Sequence, residues 1–232
     1  MSHQMKPTKT IEIKELLRFS NRIINVEKSH YLFQEGMDAE ELYIIISGKV
    51  QISKITADGR ELTLRIAGKN DICGELTLFT NKPKYLLSAF VVEDSEIAVI
   101  KKDVLEIEIF KDSALAFEFM KWMSDHFRKT QTKFRDLVLN GKKGALYSTL
   151  IRMTNSYGIK KDDGILIDLP LTNQELGNFC GTSRESTNKL LNELKRKGII
   201  SNKKGKITIH NLQFLRNEIA CENCPATYCS IE

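Results

Sequence analysis

The residue types best suited to chemistry lie in the last twelve residues of the chain. Cys221, Cys224 and Cys229 follow C-x2-C-x4-C spacing, and Pro225 stiffens the turn after the second cysteine. Thiolates at this spacing can hold a metal ion or an iron–sulfur cluster. Three sulfurs require a fourth ligand from elsewhere in the chain. We favour metal binding over a disulfide or a disordered tail with free thiols, and at this point zinc and iron–sulfur both remain open.

A second set of candidate residues has the pattern of a DNA-reading helix. Thr172 to Glu175 and Thr182 to Glu185 each have the form of a capping box, and Gly181 between them permits a tight turn. Two capped helices joined in this way predict a helix-turn-helix, and the segment 199–209 reads as a hairpin, hence a wing. The residues expected to contact DNA are Thr172, Ser183, Arg184, Glu185, Asn188 and Lys189.

The chemistry of these side chains supports that interpretation. The first turns of a recognition helix enter the major groove, where arginine suits guanine O6 and N7 and glutamate accepts from cytosine N4. Thr172, at a helix start, could give a hydroxyl and an amide to a phosphate. The net charge of +5 permits nucleic-acid binding, and the basic clusters concentrate in the last hundred residues. Taken singly, Glu185 could be only a cap and Arg184 only a solvated charge.

Composition excludes several other classes of protein. With 41% hydrophobic and 28% charged residues, the 232-residue chain resembles a soluble globular protein. The chain contains no apolar run near the roughly 20 residues that a membrane span needs, and its first residues lack the apolar core of a signal peptide. We therefore expect a cytoplasmic protein with no membrane partner, whose thiols stay reduced. The sequence contains no nucleophile–base pair or phosphate loop, so we do not expect an enzyme.

The elements that must position these residues change in character along the chain. Residues 30–100 contain short alternating segments separated by glycines, which predict a small antiparallel barrel or jelly roll, with a hairpin turn at Asp58-Gly59. Residues 113–140 predict one long helix, which we interpret as a dimerisation helix. Its apolar seam is expected at Ala116, Met120, Met123, Phe127, Thr130, Phe134 and Leu137.

The segment from Leu171 to Leu194 resembles the winged helix-turn-helix of the Crp/Fnr family of bacterial transcription regulators. The order of elements matches that family over nearly the whole chain. The resemblance implies an α+β fold in four parts. These are an antiparallel β-roll of the cyclic-nucleotide-binding type with a helical lead-in (1–112), a dimerisation helix (113–140), a winged helix-turn-helix (141–216) and a cysteine-rich tail (217–232). It also implies a homodimer that binds palindromic double-stranded DNA and contacts RNA polymerase. Ser183-Arg184-Glu185 resembles the version that reads TGTGA-type half-sites, although Lys189 stands where the family commonly has arginine.

Two departures from the family pattern suggest which signal is sensed. The cyclic-nucleotide cassette starts at Gly74-Glu75-Leu76, but Lys84 replaces the phosphate-clamping arginine and Tyr85 and Leu86 would fill the pocket, so we expect no cyclic nucleotide. The tail resembles the Bacillus-type Fnr branch of the family. That resemblance implies one [4Fe-4S] cluster per subunit on Cys221, Cys224 and Cys229, with Asp136 as the fourth ligand. From the sequence alone, Asp136 reads as a solvated position flanking the helix seam.

The leading expectation is therefore a regulator of anaerobic gene expression that senses oxygen or redox state. Two alternatives remain: a Crp/Fnr-type regulator whose tail holds a structural zinc ion, and a binding module that responds to cyclic nucleotide. Cys73 and Cys180 stand alone, and we expect both to be small core residues.

Overall fold

The computed structural model describes residues 13–231, which fall into two compact units. The first contains residues 13–54 and Ile66–His126, and the second contains Ile55–Arg65 and residues 127–231. Among the described residues, no helix combines the length and apolar character needed to cross a membrane. The described part of the predicted helical lead-in is a 3-10 helix over Ile13–Phe19. Residues 1–12, which the prediction also included, lie outside the described part of the chain.

Antiparallel strands and two helices account for most of the first unit. The sheet order is β1-β6-β3-β4, with β2 paired to β6 and β5 paired to β3. The bounds are β1 Arg22–Val26, β2 Tyr31–Phe33, β3 Glu41–Ile55, β4 Glu61–Ala67, β5 Ile72–Cys73, β6 Ser88–Lys101, α1 Lys102–Lys111 and α2 Ser113–Leu139. Strand β4 and helix α2 each continue from one unit into the other along the chain. The predicted α+β fold with an N-terminal β-roll is confirmed.

Successive side chains of strand β3 point to opposite faces of the sheet, and both faces are covered by other parts of the first unit. Tyr43 and Ile45 pack into the interior of the β-roll, whereas Leu42 and Ile44 pack against α1 and the start of α2. We expected Gly48 to separate two strands, but β3 continues through it. A Cβ at Gly48 would lie 2.2 Å from Ser95 Oγ, so glycine is needed where β3 and β6 approach closely and their register shifts.

The second unit carries the predicted winged helix-turn-helix. Its sheet has the order β7-β8-β10-β9. Lys204 and Gly205, both with positive φ, form the turn of the predicted hairpin. The bounds are α3 Gly141–Tyr157, β7 Gly158–Lys161, β8 Gly164–Ile167, α4 Asn173–Cys180, α5 Arg184–Arg196, β9 Ile200–Lys203, β10 Lys206–Ile209 and α6 Leu212–Glu218. Strand β7 and helix α6 were not predicted from the sequence.

The long helix exists, but the expected seam is only partly correct. Met120, Phe127 and Phe134 are 62 to 63% exposed, as an uncovered seam requires. Ala116 and Met123 instead pack against the core of the first unit. The exposed apolar stripe of α2 is formed by Phe117, Met120, Phe127, Phe134 and Val138, at three-, four- and seven-residue spacings. The sequence pattern alone did not distinguish this stripe from the neighbouring one, because both follow heptad spacing.

Candidate DNA interface and cysteine-lined cavity

Helix α4 begins as the sequence predicts. The Thr172 hydroxyl accepts from the Glu175 amide at 3.2 Å, and the Glu175 carboxylate accepts from the Thr172 amide at 2.7 Å, so both halves of the capping box are formed. The Thr172 hydroxyl also donates to the same carboxylate. The amide and hydroxyl that we expected to contact a phosphate are therefore already engaged within the box. Thr172 itself is exposed.

The second predicted capping box is wrong by one residue. Ser183, not Thr182, caps α5, and its hydroxyl accepts from the Ser186 amide at 3.3 Å. Gly181 takes the left-handed conformation with φ 59°, as the turn requires. At Gly177, a Cβ would lie 2.8 Å from the Thr182 carbonyl, so glycine permits α4 to approach the start of α5 closely. Glu185 consequently lies in the first turn of α5 without a capping-box role.

All five candidate residues of the recognition helix are solvent-exposed: Ser183, Arg184, Glu185, Asn188 and Lys189. The opposite face of α5 is buried through Thr187, Leu191 and Leu194, which fixes the rotation of the helix. The Asn173 amide donates to Asn188 Oδ1 at 3.1 Å and joins the two helices at this surface. A backbone hydrogen bond and then the Ser183 hydroxyl lower the pKa of Glu185, so at neutral pH its carboxylate can only accept.

The cysteine tail follows α6 directly and bends at two non-glycine residues with positive φ, Ala220 and Asn223. The Cys221 amide donates to the Arg216 carbonyl at 2.9 Å, and the amides of Tyr228 and Cys229 both donate to the Pro225 carbonyl. These local bonds fold the tail back on itself. Cys221, Cys224 and Cys229 are all partly buried and form no disulfide. Burial raises the pKa of Cys229.

Asp136 is brought to the same place by helix α2. The three tail cysteines and Asp136 line one cavity of about 190 Å³, together with Arg135, Leu139, Asn140, Ser148, Ile151, Arg152, Ile219, Ala220 and Glu222. Asp136 is only 6% exposed, so its interpretation as a solvated flank is wrong. Within residues 13–231, no group of three or more cysteine, histidine or acidic side chains is close enough to hold a single metal ion. The four candidate ligands instead surround a cavity.

Hydrogen bonds from three side chains stabilise the buried carboxylate. Asp136 Oδ2 accepts from Ser148 Oγ at 2.6 Å and Arg152 Nη2 at 2.7 Å, and Oδ1 accepts from Arg135 Nε and Nη2 at 3.1 and 2.9 Å. Burial acts to raise the pKa of Asp136, but these donors outweigh it and the pKa stays below its usual value. The site thus holds an ionised carboxylate beside three thiols. Oxygen and sulfur donors of this kind are suited to iron and also to zinc.

Side chains of α2 and α3 hold the far end of the tail. Arg152 Nη1 donates to the Tyr228 carbonyl at 3.1 Å, and the Asn155 side chain donates to the Cys229 carbonyl at 2.6 Å. The Arg128 guanidinium lies over the Tyr228 ring and donates to its hydroxyl. Ile231 is 2% exposed. Sequence reasoning did not identify Arg152, although a charged residue within the apolar run of α3 was a usable signal.

The interior of the β-roll is filled by aromatic rings. Tyr85 stacks on Phe33 with ring centroids 3.9 Å apart, and its hydroxyl donates to the Glu41 carbonyl at 2.8 Å. The cavity beside Gly74 and Glu75 measures only about 20 Å³. Tyr85 therefore fills the interior as expected, whereas Leu86 is 58% exposed and does not. Cys73 and Cys180 are both buried, as predicted for core residues.

Comparison with known proteins identifies the class. Residues 23–112 match the model of the cyclic nucleotide-binding domain, and residues 145–218 match the Crp-like helix-turn-helix domain. The chain is 57% identical over 222 residues to the anaerobic regulatory protein of Bacillus subtilis, with 95% of this chain and 93% of that protein covered. It is 29% identical to the CRP-like cAMP-activated global transcriptional regulator of Mycobacterium tuberculosis, covering 76% and 79%. The chain belongs to the Crp/Fnr family of DNA-binding transcription regulators, and it is not an enzyme.

Solved structures support the fold. The global regulator CLP of Xanthomonas campestris superimposes with a TM-score of 0.75 at 23% identity, covering 86% of this chain and 98% of that one. The expected fold class is thereby confirmed, and the family models and the Bacillus subtilis relative confirm the expected family. Regulators with the Crp-like helix-turn-helix bind DNA and typically act as dimers.

Proposed function

We propose that this regulator controls anaerobic gene expression by sensing oxygen or redox state through one [4Fe-4S] cluster per subunit. Cys221, Cys224, Cys229 and Asp136 would hold the cluster. The observation that carries the proposal is that these four side chains line one cavity of about 190 Å³ although they come from the tail and from α2. The 57% identity to a protein named as an anaerobic regulator supports the same signal.

Room in the cavity favours a cluster over a structural zinc ion. Thiolates of a tetrahedral zinc site converge on one atom, whereas the ligands of a cubane cluster surround a larger inorganic core. The candidate ligands here surround a space, which suits the larger group. When bound, the cluster would supply reactivity towards oxygen. The protein's own part is to present three thiols and to keep the Asp136 carboxylate ionised.

The position of the site couples it to the DNA-binding part of the second unit. Arg152 on α3 contacts both Asp136 on α2 and the Tyr228 carbonyl of the tail, and α3 lies within the segment that matches the Crp-like helix-turn-helix domain. The end of the tail is held by protein contacts, so cluster loss would act first on the segment from Cys221 to Cys224, which carries two of the thiols. We infer that the changed contacts of this segment alter how α2 and α3 pack.

We further propose that the protein binds TGTGA-type palindromes as a homodimer and contacts RNA polymerase there. The exposed α2 stripe supplies an apolar face for a second copy, and the exposed Arg184 and Glu185 supply donors and acceptors for base edges. Half-sites would lie about one helical turn, 34–36 Å, apart. No cyclic nucleotide is expected, because Tyr85 and Phe33 fill the interior of the β-roll.

Purification without air tests the sensor. The protein should be brown, with iron and acid-labile sulfide in equal amounts and a broad absorption band that air bleaches. Colourless protein that contains zinc would support the structural-metal alternative instead. Asp136→Ala should make the cluster more labile without abolishing it, because three thiolates remain.

Measurements of operator binding and of subunit assembly test the proposed DNA contacts and the proposed dimer interface. Arg184→Ala should cost about 1–3 kcal/mol on a TGTGA palindrome and relax the choice at one guanine. Arg196→Ala, in the last turn of the same helix, is the matched control and should change affinity uniformly or not at all.

Phe127→Asp should give monomers by light scattering, because it places a charge in the apolar stripe. An intact dimer would rule out the α2 stripe as its interface.

A further inference from the structure

The two oxygens of Asp136 have different surroundings. Oδ2 faces α3 and accepts from Ser148 and Arg152, whose exposed fractions are 4% and 1%. Among the described residues, Oδ1 accepts only from Arg135, whose side chain is 33% exposed and also pairs with the Glu222 carboxylate of the tail. One oxygen is therefore held from inside the protein, and the other is covered from the rim of the cavity.

Each carboxylate oxygen offers about two lone pairs, and each oxygen of Asp136 already accepts two hydrogen bonds. A metal can bind only where a donor leaves. Withdrawing Arg152 would strand a buried guanidinium, which is a large penalty. Withdrawing Arg135 costs little, because its side chain is partly exposed and keeps its pairing with Glu222.

We propose that Asp136 binds iron through Oδ1, that Arg135 is a displaceable cap on that oxygen, and that Arg152 is the positioning residue that fixes the carboxylate through Oδ2. The assignment of Oδ1 rests on the proposed cluster. It extends that proposal by naming the coordinating atom and the two arginines that control whether this atom is free to bind iron.

The pairing of Arg135 with Glu222 gives the cap a direction of movement. Glu222 lies between Cys221 and Cys224, so an arginine that leaves Oδ1 can follow the tail segment carrying two of the thiols. When iron is absent, Arg135 returns to Oδ1 and neutralises the ionised carboxylate. Arg135 thus competes with iron, whereas Arg152 binds both Asp136 and the Tyr228 carbonyl in either state.

The two arginines are therefore expected to have opposite effects on cluster assembly. The experiment compares wild type, Arg135→Gln, Arg152→Gln and Glu222→Gln during anaerobic assembly at limiting ferrous iron and sulfide, followed by absorbance. Arg135→Gln should assemble the cluster about threefold faster or more, because its competitor is gone. Arg152→Gln should assemble more slowly and lose the cluster sooner. Glu222→Gln removes the charge of the tail partner of Arg135 but leaves both donors on Oδ1, so it should not assemble faster than wild type.

A second measurement uses the iron-free protein and so does not depend on the cluster. Arg152→Gln should release the tail to carboxypeptidase at least about tenfold faster than wild type, because the buried link to Tyr228 is lost. Arg152→Lys keeps a buried cation that can pair with Asp136 but lacks the fork that also reaches Tyr228, so its release rate should be intermediate. Arg135→Gln should release the tail as wild type does.

The outcomes separate this inference from the proposed function. Wild type that assembles no cluster would end the proposed function and the Oδ1 assignment with it, while the tail-release rates would still decide the role of Arg152. A wild type with a full cluster, combined with assembly slowed equally in Arg135→Gln and Arg152→Gln, would overturn the inference alone.

Discussion

The interior of the β-roll and the cavity beneath the tail are built in opposite ways. The first is filled by Tyr85 stacked on Phe33 and leaves about 20 Å³, roughly one water molecule. The second leaves about 190 Å³, and its lining includes three thiols, two carboxylates and two arginines. Of these two regions, the tail has both the larger cavity and the reactive groups, although the β-roll belongs to a domain type described as cyclic nucleotide-binding.

The difference also separates two uses of buried polar groups. In the β-roll, the Tyr85 hydroxyl has one carbonyl acceptor and completes a closed aromatic core. At the tail, each oxygen of the Asp136 carboxylate accepts two hydrogen bonds, and one of the three donor residues, Arg135, lies at the rim. A filled core favours stability, and a cavity edged by exchangeable contacts favours a response to a ligand.

The largest expected effect tests whether the cysteines at the tail cavity hold a cluster. Cys224→Ala should abolish the cluster absorbance and reduce iron and sulfide to background, because its thiol is one of only three at the cavity. Cys73→Ala removes a thiol buried in the first unit and should leave both unchanged. A full cluster spectrum in reconstituted Cys224→Ala protein would place the metal elsewhere.

A neighbouring pair of substitutions tests the filled interior. Tyr85→Ala should lower the free energy of unfolding by about 3–5 kcal/mol, as expected when a buried aromatic ring is removed. Leu86→Ala, at an exposed position, should change it by less than about 0.5 kcal/mol. Denaturant titration measures both. Cyclic AMP should leave the melting temperature of the wild type unchanged; a clear rise would show that the interior opens to accept a nucleotide.

How far the sequence predicts these regions depends on how local their determinants are. The capping box at Thr172 and the Lys204-Gly205 turn are set within four residues, and both were predicted. The start of α5 was misplaced by one residue, because Thr182 and Ser183 both carry a hydroxyl suited to a cap and only the fold selects between them. Similarly, heptad spacing locates the α2 helix but does not say which of two adjacent stripes packs on the core.

The environment of Asp136 was not predictable in the same way. Its partners Ser148 and Arg152 lie twelve and sixteen residues further along, on another helix, and the third contact of Arg152 is a backbone carbonyl of the tail. A flanking position on a helix reads as solvated until a second helix covers it. The resemblance to a family suggested the residue, but only packing shows that its carboxylate is buried and paired.

A smaller effect concerns a second buried charge on α2, Lys133, three residues before Asp136. Its ammonium donates to the carbonyls of Thr63 and Leu64 at 2.8 Å and lies over the Phe179 ring, and no carboxylate of the described residues pairs with it. Burial lowers the pKa of Lys133 to about 7. The unfolded chain, with a lysine pKa of about 10.4, binds a proton between these values that the folded protein does not, so stability should rise with pH across this window.

Lys133→Met removes the titrating group and should flatten that rise, by at most about 1.4 kcal/mol per pH unit. Lys142→Met, at an exposed position, is the control and should keep the wild-type slope. Denaturant unfolding from pH 7 to pH 9.5 measures the difference. Equal slopes in wild type and Lys133→Met would mean that the two carbonyls and the Phe179 ring keep the ammonium charged throughout. The carbonyl dipoles and the ring would then stabilise the buried charge of Lys133 as fully as the two arginines stabilise the buried charge of Asp136.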